Sequence, residues 1–194
     1  MVSKKWVSLA CAAMVAGVGV TSAMAGEIKI GFVSSLSGPV SALGIPYEKG
    51  IRAAIAQQPT IGGHQVKLIV LDDASDPSVA GRNARKLINE DKVDVLIGTS
   101  GVPGAMAVAA VARELKTPLI SPTPMTLPGK ENEWIVSVSQ PFELMVAGVV
   151  KRMKTAGVKS VAFIGFSDAL GDMAYDSLVK SSTEAGIKVV ANER

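Results

Sequence analysis

The fold class can be inferred from residues 93–126, which read VDVLIGTSGVPGAMAVAAVARELKTPLISPTPMT. The apolar run 93–97 ends at a glycine, a pattern typical of a short buried strand in a parallel sheet. After Pro103, which suits the first turn of a helix, apolar residues recur at helical spacing up to Leu115. A second apolar run follows at 118–120, so the segment predicts a β-α-β unit with parallel strands.

Both predicted strands are followed by small residues with hydroxyl groups, Ser100 after the first and Thr123 after the second. In an open parallel sheet, ligands bind outside the carboxyl ends of the strands. Free N–H groups of helix N-termini and neutral hydroxyls at such an edge suit a carboxylate. Capping or turn formation would explain either residue alone. Their convergence on one edge of the sheet predicts that both contact a ligand.

Strands and helices alternate along the rest of the chain. Short apolar runs predict further strands near 28–33, 66–70, 134–138, 161–165 and 187–190, with helical patterns between most of them. One of these helices begins at Asp76, a good N-cap, followed by Pro77. The alternation predicts an α/β fold with a doubly wound parallel sheet.

The first 25 residues predict a signal peptide that is not part of the fold. Lys4 and Lys5 form a positive start, an apolar stretch follows, and residues 23–25 (Ala-Met-Ala) form a cleavage site after Ala25. An uncleaved anchor is the alternative, because the apolar stretch could nearly span a bilayer. The cleavage site favours an exported protein.

Composition argues against several classes of function. Removing the signal peptide takes away Lys4 and Lys5 but no acidic residue, which lowers the formal charge from +3 to +1. A nucleic-acid partner is therefore not indicated. The only cysteine, Cys11, leaves with the signal peptide, so no disulfide is expected. We also expect no cofactor, because the mature chain has neither of the common glycine-rich phosphate-binding motifs.

Two patterns raise the question of catalysis or metal binding. Ser167 lies between a predicted strand and a helix, as in some serine hydrolases, but the only histidine, His64, is far upstream. Ser167 is thus predicted to be a pocket or capping residue. The acidic residues Asp72, Asp73 and Asp76 favour capping and strand-end solvation over a metal site. We expect neither an enzyme nor a metal.

A set of motifs runs in one order along nearly the whole mature chain. They are Ser37-Gly38-Pro39, Asp72-Asp73 with Asp76-Pro77, the turn from Ile97-Gly98 to Pro103, Ile120-Ser121-Pro122, and a strand followed by Gly171. Together they resemble the leucine/isoleucine/valine-binding proteins, which are type I periplasmic solute-binding proteins of ABC importers. The resemblance implies two α/β lobes, joined by hinge strands, that close on an amino acid or a related small carboxylate.

The resemblance also implies a domain organisation. Residues 26–138 would be most of lobe one, and residues 139–194 would begin a lobe two that we expect to be truncated. The acidic partner of a ligand ammonium would then lie beyond residue 194. We expect a periplasmic monomer that works with the membrane subunits of an ABC importer.

The resemblance assigns ligand contacts residue by residue. The matched residues are Ser100, Gly101 and Val102 in one loop, Thr123 with Met125 or Thr126 in a second loop, and Leu43 and Leu170 on the walls. Val102 is the best-aligned position for a ligand-binding hydroxyl, which leaves that role to Ser100. Leu43 and Leu170 stand where well-known members have tyrosines, so leucine itself need not be the ligand.

The resemblance favours a periplasmic receptor that delivers its ligand to an ABC importer. The first alternative is an extracytoplasmic sensing domain of a signalling receptor, which the same fold class could serve. The second is an exported serine hydrolase, which would need a histidine downstream of Ser167. A transmembrane and cytoplasmic continuation of the chain would distinguish the sensor from the importer component.

Overall fold

The computed structural model describes residues 26–125 and 133–194. The signal peptide and Thr126 lie outside these residues. In the described part, six strands form one sheet and two more form a second. The strands of the first sheet are β1 (Glu27–Ser34), β2 (Thr60–Ile61), β3 (His64–Asp72), β4 (Val95–Gly98), β5 (Leu119–Ser121) and β6 (Ile135–Ser137), in the spatial order β2-β3-β1-β4-β5-β6.

The first sheet is parallel except at one edge. There β2 pairs antiparallel with β3, and Thr60 lies opposite Gln65. The connecting Gly62 and Gly63 both have positive φ, 58° and 85°, the conformation that two-residue hairpin turns require. Strand β2 was not predicted from the sequence, because a strand of two residues is too short to show a period.

Three helices accompany the first sheet. They are α1 (Ser41–Gln57), α2 (Pro77–Asn89) and α3 (Val102–Glu114). The last two pack together over the sheet, where Leu87, Leu96 and Leu119 are fully or almost fully buried. The alanine-rich face of α3 contributes Ala105, Ala109 and Ala112 to buried positions. Small side chains there let the helix lie close to its neighbours.

The strand order places a topological switch point between β1 and β4. Strand β1 pairs in parallel with β3 on one side and with β4 on the other. Connections therefore leave the carboxyl ends of these two central strands in opposite directions and open a crevice between them. Ser34 and Ser35 mark the end of β1, and Thr99 and Ser100 follow β4 directly.

The second sheet is smaller. Strands β7 (Ser160–Ile164) and β8 (Lys188–Glu193) pair in parallel, with helices α4 (Phe142–Thr155) and α5 (Ala169–Ala185). Helix α5 begins at the N-cap Asp168 and ends at Gly186, whose φ of 73° is the left-handed conformation common at helix ends. Within the described residues, no helix combines the length and the apolar character that crossing a membrane needs.

Candidate functional site

A cavity of about 670 Å³ opens at the carboxyl ends of the first sheet and reaches the loop before α5. Its walls come from the loops and helix starts that follow β1, β3, β4, β5 and β7. The lining residues are Ser35, Pro39, Val40, Leu43, Tyr47, Asp73, Ser75, Pro77, Thr99, Ser100, Gly101, Val102, Pro103, Gly104, Thr123, Pro124, Phe166, Asp168 and Leu170.

Most of the predicted ligand contacts meet in this cavity. Six of them line it, namely Ser100, Gly101, Val102, Thr123, Leu43 and Leu170. Ser167 is exposed and is not among the described residues that line the cavity. Met125 packs against the core of the first sheet and lines a separate cavity of about 150 Å³ instead.

The Ser100 hydroxyl is buried and engaged within the protein. Its Oγ lies 2.9 Å from Ser34 Oγ and accepts a hydrogen bond from the Ser35 N–H at 3.2 Å. Ser34 Oγ in turn donates to the Gly44 carbonyl at 3.3 Å. All three bonds are satisfied together when Ser100 donates to Ser34, which directs the Ser100 proton into the protein and away from a ligand.

Gly44 is required for this arrangement because α1 approaches the end of β1 very closely. A Cβ atom at Gly44 would overlap the Ser35 carbonyl oxygen and would lie 2.8 Å from Ser100 Oγ. The first turns of α1 can therefore reach the switch point only with glycine at this position.

The Thr123 hydroxyl is also used inside the protein. Thr123 Oγ1 donates to the Thr99 carbonyl at 2.5 Å, and the Thr123 carbonyl accepts from Ser121 Oγ at 2.9 Å. The residue is buried, yet it borders the cavity. These bonds join the loop after β5 to the loop after β4, so Thr123 fixes the shape of the cavity wall.

The first turn of α3 offers main-chain donors to the cavity. The helix begins at Val102 after Gly101, an N-cap without a side-chain bond, and its first backbone bond runs from Ala105 N–H to Gly101 carbonyl at 2.9 Å. The N–H groups of Val102 and Gly104 therefore have no partner within the helix, and Pro103 has no N–H. The helix dipole adds positive potential at this end, which favours a bound anion.

Asp73 is buried rather than solvated, which corrects the prediction for this strand end. Only 1% of the residue is exposed. It accepts hydrogen bonds from Ser35 Oγ at 2.7 Å, from the Ser75 N–H at 2.9 Å and from Thr99 Oγ1. One carboxylate thus links the ends of β1, β3 and β4. The sequence signal for this role was the position of Asp73, which directly follows one strand, while two other strands end in residues with hydroxyl groups.

Asp72 holds the loop between β1 and α1. It accepts from the N–H groups of Leu36 at 2.8 Å, Ser37 at 3.2 Å and Ala74 at 2.8 Å, and from Ser37 Oγ at 2.6 Å. Partial burial acts to raise the pKa of Asp72, but these four hydrogen bonds outweigh it and hold the pKa below its ordinary value.

Apolar side chains form much of the remaining wall. Leu43 and Tyr47 lie one turn apart on α1, while Phe166 lines the cavity from the loop before α5 and Leu170 from the first turn of that helix. Tyr47 was not among the predicted ligand contacts. Its i, i+4 spacing from Leu43 was the signal that both residues share one wall.

The loop before α5 is held by contacts of its own. Asp168 Oδ1 accepts from the Gly171 N–H at 3.0 Å, and a Cβ at Gly171 would overlap the Phe166 carbonyl. The Arg194 guanidinium donates to that carbonyl at 3.2 Å and pairs with Asp172 at 2.9 Å. It also lies 5.5 Å from the ring centroids of Phe163 and Tyr175.

Comparison with known proteins identifies the family. The model of a family described as periplasmic binding protein matches residues 27–194. The chain belongs to this family. It is 32% identical over 193 residues to a Leu/Ile/Val-binding protein homolog of Brucella melitensis, covering 94% of this chain and 51% of that protein.

Solved structures of periplasmic binding proteins have the same fold. An extracellular ligand-binding receptor of Rhodopseudomonas palustris HaA2 superposes with a TM-score of 0.83 at 38% identity, covering 87% of this chain and 46% of that one. A solute-binding protein of R. palustris in complex with 4-hydroxybenzoate gives a TM-score of 0.76 at 29% identity, with coverage of 87% and 46%. The chain thus spans about half the length of these relatives.

These similarities confirm the predicted fold class and the resemblance to the leucine/isoleucine/valine-binding proteins. The protein has the fold and the relatives of a solute-binding protein, not of an enzyme. The serine-hydrolase alternative for Ser167 is therefore wrong.

Proposed function

We propose that the protein is a periplasmic receptor that captures a small carboxylate in the cavity between two lobes and delivers it to an ABC importer. The lobes would comprise residues 26–138 and a second part that begins at residue 139. The observation that carries this proposal is the cavity itself, which is bordered by the α3 N-terminus on one side and by Phe166, Asp168 and Leu170 on the other.

The ligand carboxylate would bind at the first turn of α3. There the N–H groups of Val102 and Gly104 have no helical partner, and Gly101 leaves the approach open because it has no side chain. Ser100 and Thr123 would set the position of this turn through their bonds to neighbouring strands. Charge-assisted bonds of this kind contribute about 1.5–3 kcal/mol each, enough for a few of them to hold a small acid.

The body of the ligand would lie against the apolar walls. Leu43 and Tyr47 on α1 and Leu170 on α5 would contact it from opposite sides of the cavity. The names of the relatives suggest two kinds of body, the branched aliphatic side chain of Leu, Ile or Val and the ring of 4-hydroxybenzoate. Either would bury apolar surface against these side chains.

Closure of the lobes would convert binding into transport. A ligand that contacts both lobes stabilises the closed arrangement and shifts the population toward it. Membrane subunits of an ABC importer would then recognise the closed form of a monomeric receptor in the periplasm.

A ligand panel on the full chain tests the proposal. Branched aliphatic amino acids and benzoates, each at several concentrations, should raise the melting temperature of the protein if they bind the folded state. Leucinamide and benzamide, which lack the carboxylate, are the matched controls. A melting temperature that no acid in the panel raises would contradict a carboxylate receptor.

A further inference from the structure

We infer that the ligand carries a hydrogen-bond donor in addition to its carboxylate, and that Asp168 is the residue that receives it. The inference rests on the proposed function and concerns the specificity of the same cavity. It follows from the charged groups that border the cavity and from the bonds they already make.

Charged side chains are scarce in this cavity. Among the described residues that line it, only Asp73 and Asp168 carry a formal charge. Asp73 is buried, and its two oxygens accept from two hydroxyls and one backbone N–H of the protein. It is therefore a structural group, and among the described residues that line the cavity Asp168 is the acid that remains for a ligand, in addition to any acid expected beyond residue 194.

Asp168 caps α5 with one carboxylate oxygen, and its other oxygen is available to a ligand. Its Oδ1 accepts from the Gly171 N–H at 3.0 Å. Within residues 26–125 and 133–194, its Oδ2 has no hydrogen-bond partner, although the residue is partly buried and borders the cavity. The contacts of Gly171 and Arg194 with the Phe166 carbonyl hold the loop around it, so the free oxygen has a defined place in the wall.

An ionised carboxylate only accepts hydrogen bonds. Because the described residues that line the cavity include no cation, Asp168 would repel a second carboxylate, and a purely apolar ligand end would leave it without a hydrogen-bond donor. A ligand hydroxyl or ammonium would satisfy it with a charge-assisted bond. Since Asp168 precedes α5 whereas the carboxylate site is on α3, such a ligand would connect the two sides of the cavity.

Two pairs of ligands, each differing in the donor group, test this inference. The first pair is 4-hydroxybenzoate and benzoate, and the second is leucine and 4-methylpentanoate, which lacks the ammonium. Titration calorimetry on the full chain should show that the wild type binds the donor-bearing member of one pair at least about tenfold more tightly. A preference within the first pair would indicate that Asp168 receives a hydroxyl, and a preference within the second pair would indicate an ammonium.

The variant Asp168→Asn separates ligand recognition from capping. Asparagine caps a helix about as well as aspartate, so α5 should stay intact while the second acceptor oxygen of residue 168 is replaced by a donor nitrogen. In this variant, the affinities for the two members of the ligand pair should differ by no more than about twofold. Asp76→Asn is the matched control, because Asp76 caps α2 in the same way with bonds to the Ser78 and Val79 N–H groups but does not line the cavity. It should retain the wild-type preference.

Failure of the inference and failure of the proposed function look different. If the wild type binds carboxylates but favours neither donor-bearing ligand, or if Asp168→Asn keeps the preference, Asp168 does not receive a ligand donor, and the receptor function stands. If no carboxylate binds at all, the proposed function fails and the inference falls with it.

Discussion

The two sheets of the protein differ in how completely they are buried and in how they present their side of the cavity. In the first sheet, Leu87 and Leu96 are fully buried between strands and helices. In the second, the buried cluster consists of Val150, Leu178 and Ile187, while Ile164 on β7 is 86% exposed. The contrast teaches that one side of the cavity is preorganised by a core and the other by a few local contacts.

Hydrogen bonding around the cavity follows the same division. On the first sheet, buried groups bind one another across strand ends: Ser34 pairs with Ser100, and Thr99 donates to Asp73 and accepts from Thr123. On the second, the wall depends on the cap made by Asp168 and on Arg194. Substitutions can show whether this difference is energetic as well as geometric.

The largest expected effect comes from truncating one side chain in the core beside each sheet, Leu96 on β4 and Leu178 on α5. Leu96→Ala should lower the free energy of unfolding by about 4 kcal/mol, because the side chain is fully enclosed and cannot be replaced by relaxation. Leu178→Ala should cost about 2 kcal/mol, since partly exposed neighbours can close the gap. Urea denaturation measures both, and equal losses would contradict the contrast between the sheets.

A smaller loss is expected from removing the buried carboxylate of the first sheet. Asp73→Ala would leave two hydroxyls and the Ser75 N–H without their acceptor and should cost about 2–3 kcal/mol. The control Asp76→Ala removes an exposed cap and should cost about 1 kcal/mol. Urea midpoints that fall by the same amount would mean that Asp73 acts only as a turn residue.

A main-chain donor can be removed without removing the helix. Val102→Pro deletes the N–H at the first position of α3, where proline is tolerated, and should weaken ligand binding about tenfold. Val102→Ala keeps the N–H and shortens the same side chain, so it should lose less. Calorimetric affinities that rank these two variants in the opposite order would argue against main-chain binding of the carboxylate.

The smallest effect concerns pH and the loop before α1. Because the folded-state pKa of Asp72 is lowered, its contribution to stability is complete above the unfolded pKa of about 3.9. That contribution is lost as the pH falls through the lower folded-state value. Urea midpoints between pH 5 and pH 2.5 should therefore decline more steeply for the wild type than for Asp72→Asn. Parallel curves would show that the hydrogen bonds to Asp72 do not stabilise the fold.

The sequence predicted the fold and the edge of the sheet at which the cavity opens, because both depend on local periodicity. The run 93–97, the helix after Pro103 and the strand at 118–120 correspond to β4, α3 and β5. The bounds of helix α5, Ala169–Ala185, were not predicted, because Gly171 and Asp172 in its first turn interrupt the apolar pattern.

The direction of individual side chains could not be predicted, because it depends on partners from distant elements. Ser100 was expected to turn its hydroxyl toward a ligand, yet Ser34, 66 residues away, binds it. Thr123 likewise donates to Thr99. The burial of Asp73 depends in the same way on hydroxyls from two other strands. A strand end read in isolation gives no sign of such neighbours.

The start of α3 has a consequence for how this protein can diversify. If main-chain atoms anchor the carboxylate, substitutions other than proline that leave the backbone in place cannot abolish that anchor. Substitutions at Leu43, Tyr47 or Leu170 could then change which ligand binds, while the ligand carboxylate would stay at the same position. After gene duplication, a copy of the gene could encode a protein with a different ligand specificity through substitutions in these walls alone.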